Sequence, residues 1–124
     1  MTALTTTDPQ SLERNAVLDE EQMLDLAGGD ASLRREIAEL ALSELPIITR
    51  ALGDSVRVGD TRRVGSGAHR LKGALSNLAA GHSLARARRM EEAAFAGDLG
   101  AVRAEIAPLE DAMEDLLRAL ERLA

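Results

Sequence analysis

A chain of 124 residues suits one domain with room for a real core, and its net charge of −6 argues against nucleic acid as the main partner. Hydrophobic residues make up 45%, yet there is one Phe and no Tyr or Trp, so the core must be Leu, Ala, Val, Ile and Met, which favours packed helices over a sheet. The absence of Cys excludes disulfides, thiolate metal sites and a thiol nucleophile, and no apolar run approaches the ~20 residues of a membrane span.

The start, Met1 to Gln10, is polar and Thr-rich and has neither the basic region nor the apolar core of a signal peptide, so a cytoplasmic protein is expected. Residues 1–15 show no amphipathic period and are expected to form a flexible tail before a helical domain over 16–124. A short helix should open at Asp19, with Gln22 at the capping-box position, turn Met23, Leu24 and Leu26 inward, and stop at Gly28-Gly29. Asp30 then caps a second helix carrying Leu33, Ile37, Leu40, Ala41, Ile48 and Leu52, which ends at Gly53 or at the Gly59-Asp60 turn. Pro46 should kink or break it.

Asp60 is the expected cap of a third helix, which buries Ala68, Leu71, Leu75 and Leu78, runs to about Ala80 and is ended by Gly81. A fourth, from His82 to Ala96, presents Leu84, Ala87, Met90 or Glu91, and Ala94. After the Gly97-Asp98 stop and cap, the last helix repeats Val102, Ile106, Leu109, Met113, Leu116, Leu120 and Leu123 in alternating steps of four and three. Pro108 either kinks that helix or marks where its regular part begins. Short loops make neighbours antiparallel, so the expected fold is all-α: an antiparallel up-down four-helix bundle with a short additional N-terminal helix. Such a bundle uses the last helix's seam internally, which favours a monomer over a homodimer.

Charge is unevenly distributed. From Thr61 to Met90 there are seven Lys or Arg and no Asp or Glu, while the rest of the chain holds all 21 acids and eight bases. A basic stretch of this kind is either a solvated face or a patch that steers an acidic partner, and its placement around His69 favours the patch. His69 and His82 lie 13 residues apart with a glycine between them, outside any HxxxH or ExxH spacing, so no metal site is expected. Ser66 and Ser76 lack the partners of a catalytic triad, and Gly65-Ser66-Gly67 lacks the spacing of a phosphate-binding loop.

His69 itself is about 100° round the helix from the buried stripe, on a face shared with Gly65, Lys72, Gly73 and Ser76. Each glycine inside a helix costs about 0.8–1 kcal/mol against alanine. Gly67 is explained by close helix packing, whereas Gly73 lies one turn beyond His69, where a missing side chain clears approach to the imidazole. Lys72, also one turn away, can reach a phosphoryl group on that ring. An imidazole with a pKa of about 6.5 is largely neutral and nucleophilic near neutral pH, so it could take a phosphoryl group from an acyl phosphate and hand it on. Composition and spacing alone leave this chemistry beside the plainer reading of an ordinary surface histidine.

Ala68-His69-Arg70-Leu71-Lys72-Gly73, continued by Ala74 to Ala80, resembles the signature of histidine-containing phosphotransfer (HPt) domains of multistep two-component phosphorelays. Gly28-Gly29-Asp30, Gly59-Asp60, Met90-Glu91 and Gly97-Asp98-Leu99 fall in the order found in that family. The resemblance implies a four-helix bundle with His69 as phosphoacceptor, Lys72 stabilising the phosphoryl group and Gly73 leaving room for the partner. Arg62, Gly65, Ser66, Arg70, Ser76 and Arg86 are the candidate partner contacts. Two departures stand out: many members have glycine in place of Ala79, and a larger apolar residue in place of Gly67.

The partners implied are response-regulator receiver domains and a hybrid histidine kinase. The resemblance implies that the receiver supplies the catalytic aspartate and Mg²⁺, so this chain is expected to need no cofactor and to act as a phosphocarrier without kinase activity of its own. The other readings are a helical adaptor that binds receivers or other acidic domains without taking phosphate, and the phosphoacceptor segment of a larger chemotaxis-type kinase.

Overall fold

A computed structural model of the chain describes residues 9–124, and the first eight residues of the expected tail lie outside it. Six helices follow one another: α1 (Pro9–Val17), α2 (Glu20–Leu26), α3 (Ala31–Val58), α4 (Thr61–Leu75), α5 (Gly81–Phe95) and α6 (Leu99–Glu121). Helices α3 to α6 form the bundle, with α3 packed on α4, α4 on α5, α5 on α6 and α6 back on α3. The connections between them are two to five residues long, which leaves each helix antiparallel to the next.

The turns follow the acidic caps. Asp19, Asp30, Asp60 and Asp98 each accept from the free amides of the helix that follows. Gly59, at φ +80°, closes α3 in the left-handed conformation, so α3 and α4 meet across only Gly59 and Asp60. The core consists of Leu, Ala, Val, Ile and Met as composition requires, and the single Phe, Phe95, is 83% exposed. The seam of α6 is spent inside the bundle: Val102, Leu109, Met113, Leu116 and Leu120 are buried, and Ile106 and Leu123 pack against them.

The structure corrects four expectations. The segment expected as a tail to Asn15 is helical from Pro9 and packs on α5 and α6, so two short helices rather than one precede the bundle. Proline with its fixed φ suits the first helical turn, where its missing N–H costs nothing. Leu26, Leu33 and Leu40, expected to face inward, are exposed; α3 buries Ala41, Ile48 and Leu52 as expected, together with Ala38, Leu45 and Val56. The expected and buried sets differ by a small rotation of the first half of the helix, which turns the small residues Ala38 and Ala41 to the core and lets the helices come closer. Pro46 does not break α3, which continues to Val58.

The fourth correction concerns the end of α4, which stops at Leu75 rather than Ala80, leaving Gly81 as the first residue of α5. The Ser76 hydroxyl donates to the Gly73 carbonyl, and a tight turn donates from the Leu78 amide to the Leu75 carbonyl. That turn carries Leu78 and Ala80 back into the core. It also forces Ala79 to φ +57°, the one non-glycine residue with positive φ among those described. The Asp19 amide donates to the Ala79 carbonyl at 3.0 Å, tying the α4–α5 turn to the start of α2.

Candidate functional site

His69 stands in the middle of α4 with its side chain 73% exposed. The buried stripe beside it, Val64, Ala68, Leu71 and Leu75, fixes the rotation of α4 and therefore the direction in which residue 69 points. On the facing helix α5, Ala87, Met90 and Ala94 are buried, which places Glu91 at the edge of the seam, opposite His69.

Glu91 holds the site together. Its Oε2 lies 2.8 Å from His69 Nδ1, and its Oε1 accepts from Lys72 Nζ at 2.7 Å. The Glu91 side chain is only 13% exposed, whereas Lys72 is about one-third exposed. Burial of a carboxylate would raise its pKa, but the hydrogen bond from Lys72 outweighs that and, with the bond to His69, holds Glu91 below the usual carboxylate range. An ionised carboxylate only accepts, so Nδ1 must carry the proton. In the neutral ring, Nε2 then keeps its lone pair, on a side chain that is largely open to solvent.

Two hollows flank the imidazole. Towards the start of α4 lies a groove of about 690 Å³, lined by Thr61, Arg62, Gly65, Ser66, His69, Glu91, Ala94, Phe95 and Gly97. Its floor is low because a Cβ on Gly65 would lie 3.6 Å from that of Ala94, so small residues face each other there. Towards the end of α4 lies a hollow of about 230 Å³, bounded by His69, Lys72, Gly73, Ser76, Leu84 and Arg88.

The glycines of α4 have different reasons. A Cβ on Gly67 would stand 3.2 Å from Leu52 Cδ1, tighter than an ordinary contact, so α3 and α4 are close there. A Cβ on Gly73 would meet nothing within 4 Å. Its absence is not needed for packing, and it bares the surface next to His69.

The residues expected from sequence are thus gathered unevenly. His69, Lys72, Gly73, Arg62, Gly65, Ser66 and Ser76 all border the two hollows. Arg70 is exposed on α4 and borders neither. Arg86 is turned to α6, where its guanidinium stands 3.6 Å from Glu105 Oε1, an ion pair too long for a hydrogen bond. The sequence placed Glu91 in the Met90-Glu91 pair but gave it no role at the site. Besides that pair, its signal in sequence is that it is the first acid after the acid-free stretch from Thr61 to Met90. Among the described residues no group of three His, Asp or Glu could hold a metal ion, and no helix is long and apolar enough to cross a membrane.

A helical bundle that offers one nucleophilic imidazole to solvent, with a carboxylate behind it and a cation beside it, has the features of a histidine phosphotransfer module. Residues 32–123 match the family model of the Hpt domain, and the chain belongs to that family. The fold is shared with the crystal structure of the HPT domain from the Hpt Sensor Hybrid Histidine Kinase from Shewanella, at a TM-score of 0.79 and 19% identity, covering 88% of this chain and 94% of that one. No curated protein matches the chain. Family membership carries histidine phosphotransfer within phosphorelays as the general role, with receiver domains and histidine kinases as the kinds of partner.

Proposed function

We propose that His69 Nε2 accepts a phosphoryl group from the aspartyl phosphate of one receiver domain and passes it to the aspartate of another. The observation that carries this reading is the 2.8 Å contact between Glu91 Oε2 and Nδ1 on a side chain that is 73% exposed, which in the neutral ring assigns the proton to Nδ1 and the lone pair to Nε2. In the transfer, the Nε2 lone pair forms the N–P bond as the acyl O–P bond breaks, and the receiver's aspartate leaves as its carboxylate. No proton has to move from Nε2. The ring becomes positively charged as the bond forms, and the Glu91 carboxylate, already against Nδ1, stabilises that charge. Transfer onward is the same step reversed.

Phosphoryl transfer passes through a loose transition state, so positioning and neutralisation suffice on this side of the reaction. The receiver would bring Mg²⁺ and the catalytic aspartate, and this chain would serve as a monomeric carrier without a cofactor of its own. The groove and hollow around His69 form the docking face, with Arg62, Gly65, Ser66 and Ser76 as contacts; Arg70 and Arg86 would act at longer range through their charge.

Incubation with a phosphorylated receiver and Mg²⁺ tests the reading. Acid-labile, alkali-stable label should appear on the protein and be lost in His69→Gln. Tight binding of receivers with no label from any of them would overturn it and leave the adaptor reading.

A further inference from the structure

Lys72 is the cation expected to meet the phosphoryl group, but in this structure it is engaged elsewhere. Its ammonium donates to Glu91 at 2.7 Å, and Glu91 is the same carboxylate that orients the imidazole. A dianionic group arriving on Nε2 would have to draw Lys72 away from a nearly buried, ionised partner, or be met by another cation.

That other cation is in place. Because α4 and α5 are antiparallel, one turn forward from His69 on α4 lies opposite one turn back from Glu91 on α5. Lys72 and Gly73 occupy the first of these positions, and Arg88 the second. Arg88 borders the same hollow as His69, Lys72 and Ser76; it is exposed, and its side chain forms no ion pair or hydrogen bond among the described residues. The carboxylate of Glu91 borders the groove on the other side of His69 and does not border this hollow. The local potential therefore draws a phosphoryl group to the Arg88 side.

We infer that Arg88 binds the phosphoryl group on His69, so that phosphohistidine is held between two cations, Arg88 free beforehand and Lys72 shared with Glu91. The inference rests on His69 being the phosphoacceptor. A guanidinium presents a planar fork that fits two phosphoryl oxygens, which an ammonium cannot match. Gly73 then has a second consequence, since its missing side chain leaves the hollow between the two cations open.

The test can be made without a receiver. Potassium phosphoramidate phosphorylates exposed imidazoles, its P–N bond breaking as the Nε2–P bond forms and ammonia leaving. On protein loaded in this way, the ³¹P resonance of phosphorylated His69, identified by its absence in His69→Gln and separate from that of the exposed His82, is followed through the second ionisation of the phosphoryl group. The charged groups facing it are Arg88, Lys72, Glu91 and the His69 ring itself. Losing a cation that touches the dianion should raise the midpoint: Arg88→Ala by about half a pH unit, a roughly three-fold change in proton affinity, with Arg88→Lys recovering part of it.

Arg89→Ala is the control, since it removes the same charge one residue away and Arg89 does not border the hollow. It should leave the midpoint in place. Equal shifts in Arg88→Ala and Arg89→Ala, or no shift in either, would overturn the inference. Transfer from a receiver is measured separately. Its absence would sink the relay reading while the titration still decides whether Arg88 touches the phosphoryl group.

Discussion

The carboxylate of Glu91 on α5 holds the imidazole of His69 on α4 at 2.8 Å, joining two residues 22 positions apart into one chemical unit. Glu91→Ala would free the ring to adopt either tautomer and remove the countercharge to the phosphorylated imidazole. Phosphorylation from a receiver should slow by about 100-fold, the lower end of the scale for losing one stabilising partner in a transition state. Glu91→Gln keeps an acceptor for Nδ1 but loses the charge, and should fall between the two. Rates equal to wild type in Glu91→Ala would remove the carboxylate from the mechanism.

The same carboxylate makes a pH prediction. Its pKa is depressed in the folded protein, chiefly by Lys72, so its contribution to stability is present above the unfolded value of about 4.3 and is lost as pH falls through the lower folded value. Urea unfolding followed from neutral pH to about pH 3 should show an acid-induced loss that is smaller in Glu91→Gln. Lys72→Ala should shrink the same loss, because it removes the main cause of the depression.

Gly73 should separate stability from activity. Alanine there enters open space and removes the helix cost of glycine, so Gly73→Ala should stabilise the fold by about 0.8–1 kcal/mol in denaturant titrations. Gly73→Leu fills the surface between Lys72 and Arg88 and should reduce receiver-dependent transfer at least 10-fold while the bundle stays folded. A Gly73→Leu protein that transfers at the wild-type rate would deny the position any part in docking.

Phe95, the sole aromatic residue, is 83% exposed at the wall of the groove that reaches His69. If a receiver docks over this face, an exposed aromatic ring is the expected anchor. Phe95→Ser should weaken receiver binding by about 1–2 kcal/mol in calorimetry, roughly 5- to 30-fold, with the thermal midpoint unchanged. Unaltered affinity would move the interface away from the groove.

Ala79 occupies a left-handed conformation at φ +57°, where many family members have glycine. A non-glycine residue there costs about 1–2 kcal/mol, part of which glycine returns through its greater freedom in the unfolded chain. Ala79→Gly should therefore stabilise the protein by about 1 kcal/mol in urea titrations and leave phosphotransfer unchanged. A destabilised Ala79→Gly variant would show that the turn is held without strain.

Local chemistry decided much of this protein before any folding. Four aspartates cap four helices, glycine closes α3, and alternating leucines in α6 form a seam, all from interactions within a few residues. His69, Lys72 and Gly73 share a helix face for the same reason, since three- and four-residue spacings stack along one helix. Spacing placed Ala41, Ile48 and Leu52 of α3 in the core, but the rest of its buried face was not local, because Leu33 and Leu40 are as hydrophobic as the buried Leu45 and Val56. Only the approach of α4 and α6 settles it. Nor was the end of α4 local: the chain turns at Leu75 so that Leu78 and Ala80 can enter the core, at the expense of a strained Ala79.

The site shows the same division. A histidine with a cation one turn away is visible in one helix, but the carboxylate that chooses its reactive nitrogen comes from the neighbouring one. So does Arg88. Nothing in their spacing from His69 marks either residue, because the distance between helices is set by packing, through Ala87, Met90 and Ala94 on α5 against Val64, Ala68 and Leu71 on α4. Which residue could be the nucleophile was legible in one dimension; what orients and neutralises it came from the contact between two helices.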